Sequence, residues 1–219
     1  MVTLLHNLIM VFILFCTIQS LCWIIKVKIR GNLTLRFIRN LIFFVPYFIP
    51  FLYFEWPSFK FYLAIHWYII SIIIGLLLCL LEIKKYKVLF NKEYYFLMPP
   101  MRFSHLLTSF NACIGASIFE EIFYRGVTSS VSNESNFTFL IFGFTCSCLF
   151  VYSHYLSDQK RTKYSYMVLT VFSLVQFILY SLSGSIITCI IVHLIFNTPA
   201  LIIDTRRYLF TRRESYEVF

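Results

Sequence analysis

The sequence predicts an all-α fold, a polytopic transmembrane helical bundle of about seven to eight spans, and three observations predict it. The 219 residues are 59% hydrophobic and only 13% charged, with a mean hydropathy of +0.77; soluble domains carry about 25% charged and about 45–50% apolar residues. The apolar residues gather in runs near the ~20 residues that a helix needs to cross about 30 Å of hydrocarbon. The cations gather between alternate runs rather than along one face.

Seven runs are candidate spans, at 4–25, 41–54, 61–81, 106–123, 137–153, 164–182 and 185–203. The first lacks a basic leading region and a small-residue cleavage site, so it reads as a retained span and not a cleaved signal. The second is short and holds Pro46 and Pro50, so it is kinked or begins earlier. The stretch 86–101 is aromatic and charged and closes on Pro99-Pro100, which reads as an interfacial helix. No repeat, linker or low-complexity tract divides the chain, so 1–219 reads as a single integral membrane domain. None of the seven cysteines forms a CxxC pair. They read as membrane thiols, not a disulfide framework or a metal knuckle.

A formal charge of +9 invites a nucleic-acid partner, but its distribution excludes one. Lys26, Lys28, Arg30, Arg36 and Arg39 follow the first run; Lys84, Lys85, Lys87, Lys92 and Arg102 follow the third. Lys160, Arg161 and Lys163 follow the fifth, and Arg206, Arg207, Arg212 and Arg213 the seventh. This is the positive-inside pattern, and it places the C-terminus in the cytosol. The lipid bilayer is the partner that the charge implies, with a basic rim facing anionic headgroups. Two glycosylation sequons, Asn133-Glu134-Ser135 and Asn136-Phe137-Thr138, fall in a loop placed outside.

Ionisable residues inside apolar spans cost about 2.5–3.5 kcal/mol each on insertion scales, so they mark pairs or functional sites. Three polar clusters fall on successive runs. In Glu120-Glu121-Ile122-Phe123-Tyr124-Arg125, Glu121 and Arg125 are four apart, share a helical face and neutralise each other. Glu120 is turned about 100° away, and a carboxylate without a fixed partner suits a general base. In Phe150-Val151-Tyr152-Ser153-His154, Phe150 and His154 share a face. In His193-Leu194-Ile195-Phe196-Asn197, His193 and Asn197 do the same within an apolar run. Each cluster alone has a plain structural explanation: a helix-end ion pair, an interfacial imidazole, an interhelical hydrogen bond of about 0.6–2 kcal/mol. All three together call for a site.

In order, the clusters read EExxxR, FxxxH and HxxxN. The chain thereby resembles the CPBP family, which joins the type II (Rce1-like) CAAX proteases to related bacterial immunity and processing proteins. The resemblance covers about 111–200; the first 101 residues match only as generic membrane helix. It implies an intramembrane endopeptidase, a hydrolase of a peptide bond in a membrane-associated substrate. In the Rce1-like branch that substrate is a prenylated C-terminal CaaX protein, which loses its last three residues. By resemblance Glu120 activates water with His154, His193 and Asn197 stabilise the oxyanion, and Glu121, Arg125 and Phe150 support the site. Both glutamate-dependent and metal-dependent chemistry are open, with Glu120, His154 and His193 the candidate ligands of a zinc ion. The membrane is that of the endoplasmic reticulum in a eukaryote, the plasma membrane in a bacterium. Ser153 stands where the family often has alanine before its histidine, and Tyr155-Leu156-Ser157 follows where further histidines are common.

Two other functions draw on the same residue types. One is a bacterial-type protease of peptide, bacteriocin or signalling substrates. The other is a non-enzymatic proton or ion relay, although no pair of broken helices occupies matching halves. The run boundaries carry a tension of their own. They put Glu120 at the outer end of one span and His154 at the inner end of the next, about 22 Å apart for about 15 helical residues. The two meet only if the first helix is broken or continues to about residue 131, or if the span count is off by one.

Overall fold

The computed structural model describes residues 2–29, 33–57, 59–131, 136–157 and 161–217, and all regular structure among them is helical. The protein is a multi-pass membrane protein. Five helices are long and apolar enough to cross a membrane: Thr3–Lys28, Phe103–Ser130, Asn136–Ser157, Lys163–Ser183 and Ile186–Arg212. Two shorter apolar helices, Phe37–Leu52 and Ile65–Leu81, accompany them.

Helix α1 (Val2–Lys28) is apolar on every side and ends in Lys26 and Lys28, cations that a helix C-terminus favours. Val11, Phe15, Ile18 and Cys22 form its buried stripe, while Phe12, Ile13 and Trp23 face outward. That i, i+4, i+7 spacing is what one-sided burial requires. Helix α2 (Leu33–Ile42) is amphipathic, with Arg39 and Asn40 on one face and Phe37, Ile38 and Leu41 on the other, the pattern of an interfacial helix.

The prolines break the second predicted span. After α2 the chain turns into a 3-10 segment, Val45–Leu52, whose Pro46, Tyr47, Pro50 and Phe51 are buried. Each proline lacks the N–H that a continuing α-helix would need. The third predicted span is shortened too: α3 (Ile65–Leu81) starts only after Ala64, which is extended at φ −60°, ψ 139°. The expected interfacial helix over 86–101 is a set of short turns, of which Lys92–Leu97 is helical. It is tied to the last helix through Pro99, whose carbonyl accepts from Arg207 Nε at 3.0 Å and Nη2 at 2.6 Å.

Helix α4 begins as an α-helix, Phe103–Gly115. It widens through two π turns, Ala116–Glu120 and Ile122–Gly126, and closes as Val127–Val131. The depth conflict disappears here, because the glutamates sit within a long helix and not at its end. π turns inside α-helices are frequent at functional sites. Helices α5 (Asn136–Ser157), α6 (Lys163–Ser183) and α7 (Ile186–Glu217) complete the bundle. Of the two sequons, 133–135 lies outside the described residues, and Asn136 begins α5.

Local chemistry sets the ends of α6. Thr162 Oγ1 caps its start by accepting from Ser165 N at 3.2 Å. Gly184, at φ 62°, ends it in the left-handed region, where glycine carries no Cβ penalty. Helix α7 continues well beyond the predicted boundary at 203 and contains Pro199. A proline at 199 leaves the carbonyl of Ile195 without its helical donor. Cys79 Sγ of α3 donates to that carbonyl at 3.4 Å. Gly75 lets α3 approach: a Cβ there would lie 2.8 Å from Ile195 Cβ. This notch seats α3 on α7, the helix that carries His193.

Candidate active site

The site is built where the π-widened part of α4 faces α5, α6 and α7. Glu121 and Arg125 are fully buried, at 0% and 1% exposure, and His193 is nearly so at 3%. Such a carboxylate must be compensated, and its partners come from three helices. Arg125 Nε lies 3.3 Å from Glu121 Oε2, an ion pair without hydrogen-bond alignment. His193 Nδ1 donates to Glu121 Oε1 at 2.7 Å. Gln176 Nε2, on α6, approaches the same oxygen at 3.4 Å and donates to the Cys189 carbonyl at 2.9 Å.

Arg125 in turn donates from Nη2 to the carbonyl of Ser173 at 3.0 Å and to its hydroxyl at 3.2 Å. The sequence pattern pairs Glu121 with Arg125 alone. In the structure Glu121 also orients His193, which joins the first cluster to the third. A carboxylate bound to Nδ1 fixes the tautomer and aim of an imidazole.

Glu120 is placed differently. It is half-buried, its Oε2 has no hydrogen-bond partner among the described residues, and it lines a cavity with Ala112, Ala116 and Phe44. His154 is also half-buried. Its Nδ1 lies 3.0 Å from the Phe150 carbonyl. A carbonyl only accepts, so Nδ1 carries the proton and the Nε2 lone pair of the neutral ring is left for a substrate, a water or a proton. The Glu120 charge acts electrostatically on His154, although no direct hydrogen bond joins the two.

Phe150 is the spacer that holds these groups apart. Its buried ring stands 4.6 Å from the His154 ring, 6.2 Å from that of His193, and beneath the Arg125 guanidinium at 5.6 Å. Asn197 donates from Nδ2 to Ser117 Oγ at 3.2 Å, which anchors its amide to the first π turn. The structure therefore joins Glu121, Arg125 and His193 directly. It joins neither Glu120 nor His154 to that unit by a hydrogen bond, places the His154 and His193 rings both against Phe150, and sets Asn197 one turn along α7 from His193.

Sequence reasoning missed Ser173, Gln176 and Ser117. Gln176 and Ser173 are fully buried in an otherwise apolar stretch of α6. A glutamine in such a stretch is the signal that would have found them, since a buried amide must have partners.

Among the described residues no three His, Cys, Asp or Glu side chains cluster as a metal-holding group. The candidate zinc set of Glu120, His154 and His193 is thus not gathered as ligands. The arrangement defines a class: a polytopic helical membrane protein whose bundle holds a locked Glu–Arg–His unit beside a second carboxylate whose Oε2 has no hydrogen-bond partner among the described residues. Residues 102–199 match the family model described as Type II CAAX prenyl endopeptidase Rce1-like. That segment, from the start of α4 to Pro199 in α7, is similar to a family of CAAX-type membrane proteases. The chain matches no curated protein and no solved structure.

Proposed function

We propose that the chain is an intramembrane endopeptidase that removes the last three residues of prenylated CaaX proteins. One observation carries this reading. Of two adjacent glutamates, Glu121 is locked by Arg125 and His193, while Glu120 keeps a free oxygen at a cavity. A locked carboxylate orients; a free one can take a proton.

Water held between Glu120 and His154 Nε2 gives a proton to Glu120 as its oxygen attacks the scissile carbonyl. The oxyanion meets the Nδ2 donor of Asn197, with His193, whose Nδ1 is held by Glu121, as the second stabilising group. Such donors contribute about 3–4 kcal/mol in other enzymes. The proton on Glu120 then passes to the leaving amine, and the C–N bond breaks. An adjoining cavity of about 490 Å³, lined by Cys22, Trp23, Ile24, Phe43 and Leu156 with Gln19, Ser20, Lys26 and Ser157 at its polar part, has an apolar side that suits an isoprenoid chain. In a eukaryote this chemistry belongs at the endoplasmic reticulum membrane. A bacterial-type substrate, a processed or signalling peptide, would use the same steps at the plasma membrane.

The test is a farnesylated CaaX peptide incubated with purified protein in detergent, with and without a zinc chelator. Release of the C-terminal tripeptide, read by mass spectrometry, is expected. No release from this peptide while another membrane peptide is cut would replace the substrate and leave the reaction. Loss of release with chelator, restored by zinc, would replace the metal-free mechanism.

A further inference from the structure

We propose that Lys26, Arg39 and Asn40 form a subsite for the terminal carboxylate of the substrate, a role that rests on the protease reading above. None of the three lies within 102–199, the Rce1-like segment. All three line one cavity of about 260 Å³ together with Phe43, Phe44, Ala112, Ala116 and Glu120. Lys26 comes from the end of α1, and Arg39 and Asn40 from the polar face of α2. Two helices thus bring two cations to the cavity that Glu120 lines.

The positive-inside asymmetry alone would put cations at the headgroup level. It would not put orphaned polar atoms beside them. Asn40 Nδ2 is buried without a hydrogen-bond partner among the described residues, as is Glu120 Oε2. Burial of an unsatisfied polar group costs free energy unless a ligand or water supplies the partner. Neither Lys26 nor Arg39 has an acidic partner among the described residues. Glu120, the one acid in the cavity, sits beyond the 4 Å limit of an ion pair with either.

The cavity therefore offers two unpaired cations and an amide donor, the complement of an anionic, hydrogen-bond-accepting group. A peptide C-terminus is such a group, and Arg binds carboxylates through two parallel bonds. Three extended residues reach about 10 Å, so a carboxylate held by Arg39 sets the register of the bond presented to Glu120. Cutting at a fixed distance from the chain end follows from this anchor. A headgroup phosphate has the same chemistry, and the experiment separates the two.

The reference protein carries Glu120→Gln to stop turnover and is reconstituted in zwitterionic nanodiscs. A fluorescent farnesylated peptide with a free C-terminal carboxylate, and its C-terminal amide, are titrated against it and against Lys26→Gln/Arg39→Gln in the same background. The acid is expected to bind about tenfold more tightly than the amide, a factor worth about 1.4 kcal/mol, and the double variant to bind both as the reference binds the amide. Arg39→Lys should keep part of the preference, which separates lost charge from lost fold. An unchanged acid-to-amide ratio in the double variant overturns the subsite, as does the absence of any acid preference in the reference. If the substitutions weaken only the binding of anionic-lipid vesicles, the cations serve headgroups and the inference falls. Acid preference that depends on Lys26 and Arg39, with no tripeptide released by protein retaining Glu120, keeps the subsite and removes the protease reading. Tripeptide release without acid preference does the reverse.

Discussion

Replacing Arg125 by alanine removes the cation that compensates a fully buried carboxylate. Glu121 is 0% exposed and Arg125 1%, so solvent screens neither charge. The variant leaves Glu121 with the imidazole of His193 and the amide of Gln176 alone, removes the donor to the Ser173 hydroxyl, and leaves the Ser173 carbonyl only the Ser147 hydroxyl at 3.4 Å. Breaking a buried pair from one side costs about 3–5 kcal/mol. At about 2–4 °C per kcal/mol for a chain of this size, Arg125→Ala should melt about 6–20 °C below the wild type. Glu120→Gln is the contrast. Its Oε2 has no partner, so neutralising it breaks no pair and should leave the melting temperature unchanged or raised. Both variants are measured in one detergent by scanning fluorimetry beside peptide turnover. A large drop for Glu120→Gln together with wild-type melting for Arg125→Ala would refute the reasoning and exchange the two glutamates' roles.

Three further outcomes follow from other parts of the structure. Gln176→Leu removes a donor from both Glu121 and the Cys189 carbonyl and should cost about 1–3 kcal/mol in a denaturation series, while Gln176→Glu sets a like charge against Glu121 and should cost more. Gly143→Val should destabilise by about 1–3 kcal/mol, because a Cβ at Gly143 would lie 1.8 Å from the Phe177 ring; wild-type stability would show that α5 and α6 separate freely there. Single cysteines placed beside Lys28, Lys85, Arg161 and at the C-terminus, on a cysteine-free background, should all label from the cytosolic side; protection of the C-terminus would show the wrong span parity.

The helical bundle was legible because composition and hydropathy run-length need no tertiary information. Glu121 and Arg125 were legible as partners because a four-residue spacing survives even in a widened helix. Other features depended on packing that no local pattern encodes. The π turns between Gly115 and Gly126 shift the register of α4, yet the sequence Ala116–Glu120 carries no breaker. His193 bonds Glu121 across 72 positions, a distance over which spacing arguments say nothing. Ser173 and Gln176 lie on a helix without any motif, and only their burial shows that they must be satisfied. The broken second span was half-legible: Pro46 and Pro50 announced a kink, but not that the chain would leave the α-helical path altogether.

Turnover of Glu120→Ala against wild type, on a farnesylated CaaX peptide at matched membrane-protein concentration, tests the central claim most directly. A general base contributes about 10²–10⁴-fold, so tripeptide release should fall by at least about a hundredfold with melting temperature preserved. Retention of more than about a tenth of wild-type turnover would contradict the assignment of Glu120 as the base.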